Sequence, residues 1–231
     1  MTIELFKNDA YKNECEAVIQ AIGQNSVKLN QTIFYAEGGG QLGDTGYLII
    51  NNEKYRVTNT IRENNNILHI LDRVTGLKTN YTVKCKIDWE RRYNLMKTHS
   101  CLHILCSIVN APVTGGSVND GKGRLDFDIA EKPNKDLLSK ILQEKIDEKH
   151  EIESSWITEK DLEENSHLIK TMSVSPPKGS GKIRMIKIGN NLDYQPCGGT
   201  HVKNSIEIGK AEVQKIENKG KRNKRVIIHI K

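Results

Sequence analysis

Two short stretches of this sequence carry residue types that bind soft divalent metals, and they carry them at one spacing. His99 and His103 stand four positions apart in Lys97-Thr98-His99-Ser100-Cys101-Leu102-His103. Cys197 and His201 repeat the interval in Gln195-Pro196-Cys197-Gly198-Gly199-Thr200-His201. Four such donors close a tetrahedral zinc shell, and thiolate with imidazole suits that metal. A helical histidine pair alone is explained as well by buried rings bonded to backbone carbonyls. The added Cys-x-x-x-His, in a chain of only seven histidines, is hard to explain by packing. A closed shell is also compatible with a purely structural zinc. Metalloproteases place a glutamate general base after the first histidine of a helical His-x-x-x-His. Here that residue is Ser100, which cannot take a proton from water at neutral pH, so the protease reading is set aside.

The two pairs need different supports. The apolar-rich segment from Trp89 to Val109, with Asp88 as N-cap and no Gly or Pro before Pro112, predicts a helix. One turn then separates His99 from His103 and both rings leave the same face, while Cys101, two positions from each, falls on the other side. Two glycines between Cys197 and His201 predict a tight turn at the end of a strand. One ion would tie helix and turn together.

Upstream, β-leaning runs at Cys15 to Ile19, Ser26 to Leu29, Gly46 to Ile50, Lys54 to Thr58, Ile67 to Ile70 and Thr82 to Ile87 are spaced by turn residues such as Asn51-Asn52 and Asn64-Asn65-Asn66, which suggests a small barrel. The segment Phe34 to Gly46, with five glycines in thirteen residues, interrupts this rhythm. Composition favours a wide turn there, although the glycines would also let the backbone approach a partner closely.

Downstream the pattern is mixed. Thr114 to Gly121 is a glycine-bearing stretch, followed by a strand from Arg124 to Ile129. Asn134 caps a helix whose Leu137, Leu138, Ile141, Leu142 and Ile146 fall at helical spacing. A strand from Ile152 to Ile157 leads to the capping-box-like Thr158-Glu159-Lys160-Asp161 and a short helix ending near Lys170. Ser175 to Gly181 reads as a loop. Strands follow at Ile183 to Ile188, Ala211 to Ile216 and Val226 to Ile230, the last two joined by a turn from Glu217 to Lys224. The expected fold class is α+β: a small N-terminal β-barrel domain over residues 1–87, then an α+β zinc-binding domain over 88–231 with an antiparallel sheet packed on helices.

Composition bounds the function. The 231 residues suffice for one large or two modest domains, each with a core. A net charge of +6 points to an anionic partner and favours nucleic acid. Five cysteines in no regular framework, and no signal peptide, predict reduced thiols in the cytoplasm. No apolar run approaches the roughly 18 residues that span a bilayer, so no membrane role is expected.

Met96 to His103, Cys197 to Val202 and the Gly-Gly-Gln of Gly39, Gly40 and Gln41 together resemble the editing domain of alanyl-tRNA synthetase. The chain is most similar to the free-standing alanyl-tRNA editing proteins called AlaX, in the medium-length form that keeps a glycine-rich N-terminal barrel. Gly116 to Asp128 resembles the family's Gly-Ser…Arg-x-Asp-Phe segment, and Glu217 to Lys221 its Glu-Asn-Lys-Gly-Lys turn. Three motifs in order over the whole chain are far more specific than any one.

The resemblance implies a zinc-dependent trans-editing hydrolase. It would cleave the ester joining a wrong amino acid, chiefly serine with glycine second, to tRNA(Ala). One zinc per chain would be held by His99, His103, Cys197 and His201. Four protein ligands bound at once would leave no position open for water, so either His201 is loose or the metal only positions substrate. Thr98, Gln195 and Thr200 flank the ligands as candidates to orient water or substrate, or as turn-capping residues. Gly39, Gly40 and Gln41 would meet the acceptor stem. Lys219, Lys221 and Arg222, in a hairpin also bearing Lys210, Lys215, Lys224 and Arg225, would meet phosphates or form a solvated tip. A monomer is expected. Ala36 and Leu42 stand where the family has prolines, which bears on the loop's RNA contact, and Ser100-Cys101 replaces Thr-Ala. Two other classes remain: a release-factor-like use of Gly-Gly-Gln without metal, and a non-catalytic zinc-stabilised tRNA-binding module.

Overall fold

The computed structural model describes residues 2–170 and 181–231. It divides into two compact units, the first ending at Asn94 and the second beginning at Leu95.

In the first unit β1 (Ile3–Glu4) pairs in parallel with β4 (Gln31–Thr32). The strands β2 (Glu14–Ile22), β3 (Ser26–Leu29), β5 (Gly46–Ile50), β6 (Glu53–Glu63), β7 (Asn66–Leu71) and β8 (Thr82–Ile87) close a barrel in the order β2-β3-β7-β6-β5-β8. The six expected runs all become barrel strands, β3, β5 and β8 at the expected bounds. Alternation drives closure: on β8 Val83, Cys85 and Ile87 are buried while Thr82, Lys84 and Lys86 are exposed. The inward residues join Ile19, Val27, Leu29, Phe34, Leu48 and Val57 in one core. The turns Asn51-Asn52 (φ 49° and 67°) and Asn64-Asn65 (φ 47° and 62°) need two successive left-handed residues, a conformation asparagine tolerates.

The glycine-rich segment forms its own tight turn. Gly38 and Gln41 exchange backbone hydrogen bonds at 3.1 and 3.0 Å around Gly39 and Gly40, with φ of 58° and 84°. Positive φ at both central positions is the reason glycine stands there. Asp44 ties the segment down. Its carboxylate accepts from the Tyr35 amide at 2.6 Å and pairs with the buried guanidinium of Arg92, which also donates to Ile33 O at 2.7 Å.

Helix α1 (Trp89–Val109) has the bounds expected, and Asp88 Oδ1 accepts from Arg91 N at 3.4 Å at its start. From Leu95 onward it belongs to the second unit. There β9 (Val113–Asn119), β10 (Lys122–Asp128), β14 (Ala211–Asn218) and β15 (Asn223–Ile230) form an antiparallel sheet in the order β14-β15-β10-β9. A second antiparallel sheet orders β11 (Ile152–Thr158), β12 (Lys182–Ile188) and β13 (Asp193–Pro196). Helix α2 (Lys135–Asp147) is capped by Asn134 as expected and packs on β14, where Ser139 and Gln143 accept from the amides of Val213 and Ala211. It buries Leu138, Leu142 and Ile146, whereas Leu137 faces solvent. Helix α3 (Glu159–Glu164) opens on the capping box of Thr158 and Asp161.

Several details differ from expectation. The stretch Thr114 to Gly121 is mostly strand β9, because the ladder with β10 supplies the order that Gly115 and Gly116 lack intrinsically. The last hairpin turn spans only residues 219–222, since Glu217 and Asn218 still pair with Arg225 and Lys224. The helix expected to reach Lys170 stops at Glu164 and gives way to a single 3₁₀ turn, Ser166–Leu168. The loop expected over 175–181 lies, apart from Gly181, outside the described residues. Among the described residues no helix is long and apolar enough to cross a membrane.

Candidate metal centre

Both candidate ligand pairs lie in the second unit, and the fold brings them together. The ligand atoms of His99, His103, Cys197 and His201 all fall within 4.8 Å of one another. Cys197 Sγ lies 3.6 Å from His99 Nε2 and 3.3 Å from His201 Nε2. The ring centroids of His99, His103 and His201 are 4.3 to 5.2 Å apart. All three rings are nearly buried. Helix geometry presents the first two, since one turn of α1 sets them on one face. The other two come from the turn that leaves β13.

Outer groups hold the four in place. His103 Nδ1 meets Asp193 Oδ2 at 2.8 Å, so the tautomer that donates to this carboxylate leaves Nε2 facing the cluster. Gln195 Nε2 is 2.8 Å from Asp193 Oδ2 and 3.1 Å from His103 Nδ1. With His103 donating, the amide's partner is the carboxylate. Lys170 Nζ caps the other Asp193 oxygen at 2.8 Å. Ser100 Oγ does for His201 what Asp193 does for His103: it lies 3.2 Å from Nδ1 and accepts from Val202 N at 3.2 Å. The Cys197–Gly199 turn is cradled by the buried Arg184 of β12, whose Nη1 donates to Cys197 O and Gly199 O at 3.0 and 2.9 Å. Gly199 N in turn donates to Cys197 Sγ at 3.4 Å.

The electrostatics favour a cation-binding donor set. Burial opposes ionisation of the Cys197 thiol, but His99, His201 and His103 around it prevail and hold it well below the usual thiol value. Burial, then the neighbouring His99, pushes His201 down to about 3, leaving a neutral imidazole. Burial also works against a charge on His103, yet hydrogen bonds to Asp193 and Cys197 outweigh it and push this ring up to about 10. A divalent ion held here would take the place of that proton. One thiolate, three imidazoles and a carboxylate behind one of them fit zinc by donor chemistry.

The other candidates are distributed differently. Thr98 is fully buried on α1, and its Oγ1 has no hydrogen-bond partner among the described residues. Thr200 is fully buried beside His201, and Gln195 is 5% exposed. Cys101 is buried and outside the cluster, its thiol pushed up to about 12 by burial. Gly39 and Gly40 form the exposed tip of their turn in the first unit, whereas Gln41 is only 1% exposed. Lys219, Lys221 and Arg222 are exposed at the tip of the β14-β15 hairpin. Lys219 pairs with Glu217 at 3.1 Å and Arg222 with Asp128 at 2.9 Å.

Asp193, Ser100, Lys170 and Arg184 escaped sequence reasoning as parts of the site. Asp193 alone carried a signal, an acid two residues before Gln195 on the strand that feeds the turn. The others are recognisable only through contacts across the fold.

Comparison with known proteins bears on the whole chain. Residues 3–91 match the family described as tRNA synthetases class II (A), and residues 183–227 match the threonyl and alanyl tRNA synthetase second additional domain. The chain is 35% identical to the alanyl-tRNA editing protein AlaX-M of Saccharolobus solfataricus, with all of both chains covered. It is 31% identical to that of Methanosarcina acetivorans, over 98% of each. It is also 34% identical to the alanine–tRNA ligase of Sulfurisphaera tokodaii, where 94% of this chain aligns with 25% of the larger enzyme.

Proposed function

This chain belongs to the AlaX-M family of alanyl-tRNA editing proteins, and from that membership we propose that it hydrolyses the ester of tRNA(Ala) mischarged with serine, and secondarily glycine, at a zinc site. The observation that carries the reading is the convergence of His99, His103, Cys197 and His201 in a chain collinear with such proteins. Zinc held there would supply a Lewis acid beside the aminoacyl ester, polarising water or holding the amino group or hydroxyl of the misplaced amino acid.

The chain's own residues do the rest. Asp193 and Ser100 orient His103 and His201, and Arg184 holds the Cys197 turn, so the pocket is organised before substrate arrives. His201, like His103, is held from behind, by Ser100 Oγ at 3.2 Å, which favours four permanent ligands and a positioning role for the metal. An aminoacyl ester is already activated, so positioning and modest polarisation suffice. Thr98 has an unpartnered hydroxyl and is the better candidate to orient substrate or water, since Gln195 is engaged by Asp193. The exposed Gly39-Gly40 tip would follow the acceptor stem by shape, with the buried Gln41 supporting the turn. Lys219, Lys221 and Arg222 would meet phosphates.

The test is release of labelled serine from Ser-tRNA(Ala), with Ala-tRNA(Ala) as control, before and after chelation and in Cys197→Ala. Selective release that chelation and the substitution both abolish is expected. A folded, zinc-loaded protein that binds tRNA and leaves both esters intact would instead be a zinc-stabilised tRNA-binding module.

A further inference from the structure

The first unit holds a pair of cysteines that take no part in the candidate metal site. Cys15 on β2 and Cys85 on β8 are register partners across the barrel wall, and both are free thiols. Their side chains share a face: Cys85 is fully buried in the barrel core and Cys15, partly exposed, packs against the same cluster. Cross-strand bonds from Ile87 N to Asn13 O at 3.1 Å and from Ile19 N to Tyr81 O at 3.0 Å set the phase of this ladder. Counting by two from either end, Cys15 and Cys85 are a hydrogen-bonded pair, whose Cα atoms stand about 5.5 Å apart. That separation lies inside the roughly 4.4–6.8 Å that a disulfide spans.

We propose that Cys15 and Cys85 are a reversible oxidation site, joined by a disulfide when the protein meets hydrogen peroxide. The Cys15 sulfur, as thiolate, attacks one peroxide oxygen. The O–O bond breaks and the departing hydroxide takes up the proton Cys15 released, giving water and a sulfenic acid. The Cys85 sulfur then attacks the sulfenic sulfur, and that oxygen leaves with the Cys85 thiol proton as a second water. Two electrons pass from the two thiols to the peroxide, and a dithiol returns them. The order of attack follows from the surroundings. A hydrogen bond from Cys85, against the effect of burial, helps hold the Cys15 thiol below its usual value, whereas Cys85 is pushed well above it by Cys15 and by burial. The bond would link the first and last strands of the barrel, closing a covalent loop over the strands between them.

The experiment treats the full zinc-loaded chain with hydrogen peroxide, alkylates remaining thiols under denaturing conditions, digests without reductant and weighs the peptides. Expected is a linked pair containing Cys15 and Cys85, lighter by two hydrogen atoms than the separate peptides and resolved by dithiothreitol. Cys15→Ser should abolish the linked pair and leave Cys85 alkylatable. Cys197→Ala, run in parallel, should still form it, so that oxidation at the metal centre is not counted. Full alkylation of both cysteines after peroxide, or Cys15 advancing to sulfinic acid with Cys85 still reduced, would overturn the proposal.

Discussion

Asp193 is a single buried carboxylate that organises the His/Cys cluster from behind. It accepts from His103 and Gln195 through one oxygen and from Lys170 through the other. Burial works against its charge, and His103 and Lys170 hold it below the usual carboxylate range in spite of that. Asp193→Asn keeps the shape and removes the charge. Zinc affinity should fall about 10–100-fold, the usual cost of losing a partner behind a ligand histidine. Competition against a chromophoric chelator measures it, with circular dichroism checking the fold. Unchanged affinity would mean that His103 is oriented by its neighbours on α1 alone.

At the scale of elements, the His/Cys cluster depends on how closely α1 approaches the sheet. A Cβ added at Gly123 of β10 would lie 2.8 Å from Thr98 Cγ2 and 2.9 Å from Leu102 Cδ1, the neighbours of His99 and His103. Gly123→Ala should therefore cost roughly 1–3 kcal/mol, the range for an overpacked core, and lower the urea midpoint. An unchanged midpoint would show that the helix shifts freely. The β14-β15 hairpin makes a different demand. Its tip cations are largely paired with acids, but exposed pairs are weak and can yield to phosphates. Changing Lys219, Lys221 and Arg222 together to alanine should weaken tRNA binding and flatten the slope of log affinity against log salt by about 0.7–0.9 for each phosphate no longer neutralised. A parallel shift with unchanged slope would place these side chains off the RNA.

At the scale of the whole molecule, stability should depend on pH through His69 in the barrel core. The ring is fully buried, with Nδ1 3.2 Å from Val27 O and Nε2 2.8 Å from Thr32 Oγ1. Burial pushes its pKa down to about 4 although the hydrogen bond with Val27 opposes this. The unfolded chain takes up this proton below about pH 6.5, and the native barrel does so only near 4. Stability from this group is complete above 6.5 and is lost as pH falls through that window, by on the order of 3 kcal/mol. His69→Gln can keep both hydrogen bonds without titrating, so the difference between variant and native in urea unfolding should grow between pH 6.5 and 4. A constant difference would remove His69 from the acid response.

Much of this protein is legible in its residues. Short β-leaning runs spaced by Asn-rich turns announce the barrel, and α1 is bounded by its cap and the absence of helix breakers, as local preferences require. The four metal donors stand out because rare residue types recur at a spacing that helix and turn can each present. Strand β9 escaped because its glycines carry no preference of their own, and only pairing with β10 orders them. The meeting of Ser100 with His201 and of Lys170 with Asp193, and the facing of Cys15 and Cys85, all join residues far apart in sequence. Local chemistry decides which groups a chain can use; long-range packing decides which of them meet, because burial and pairing are settled only when distant segments close on one another.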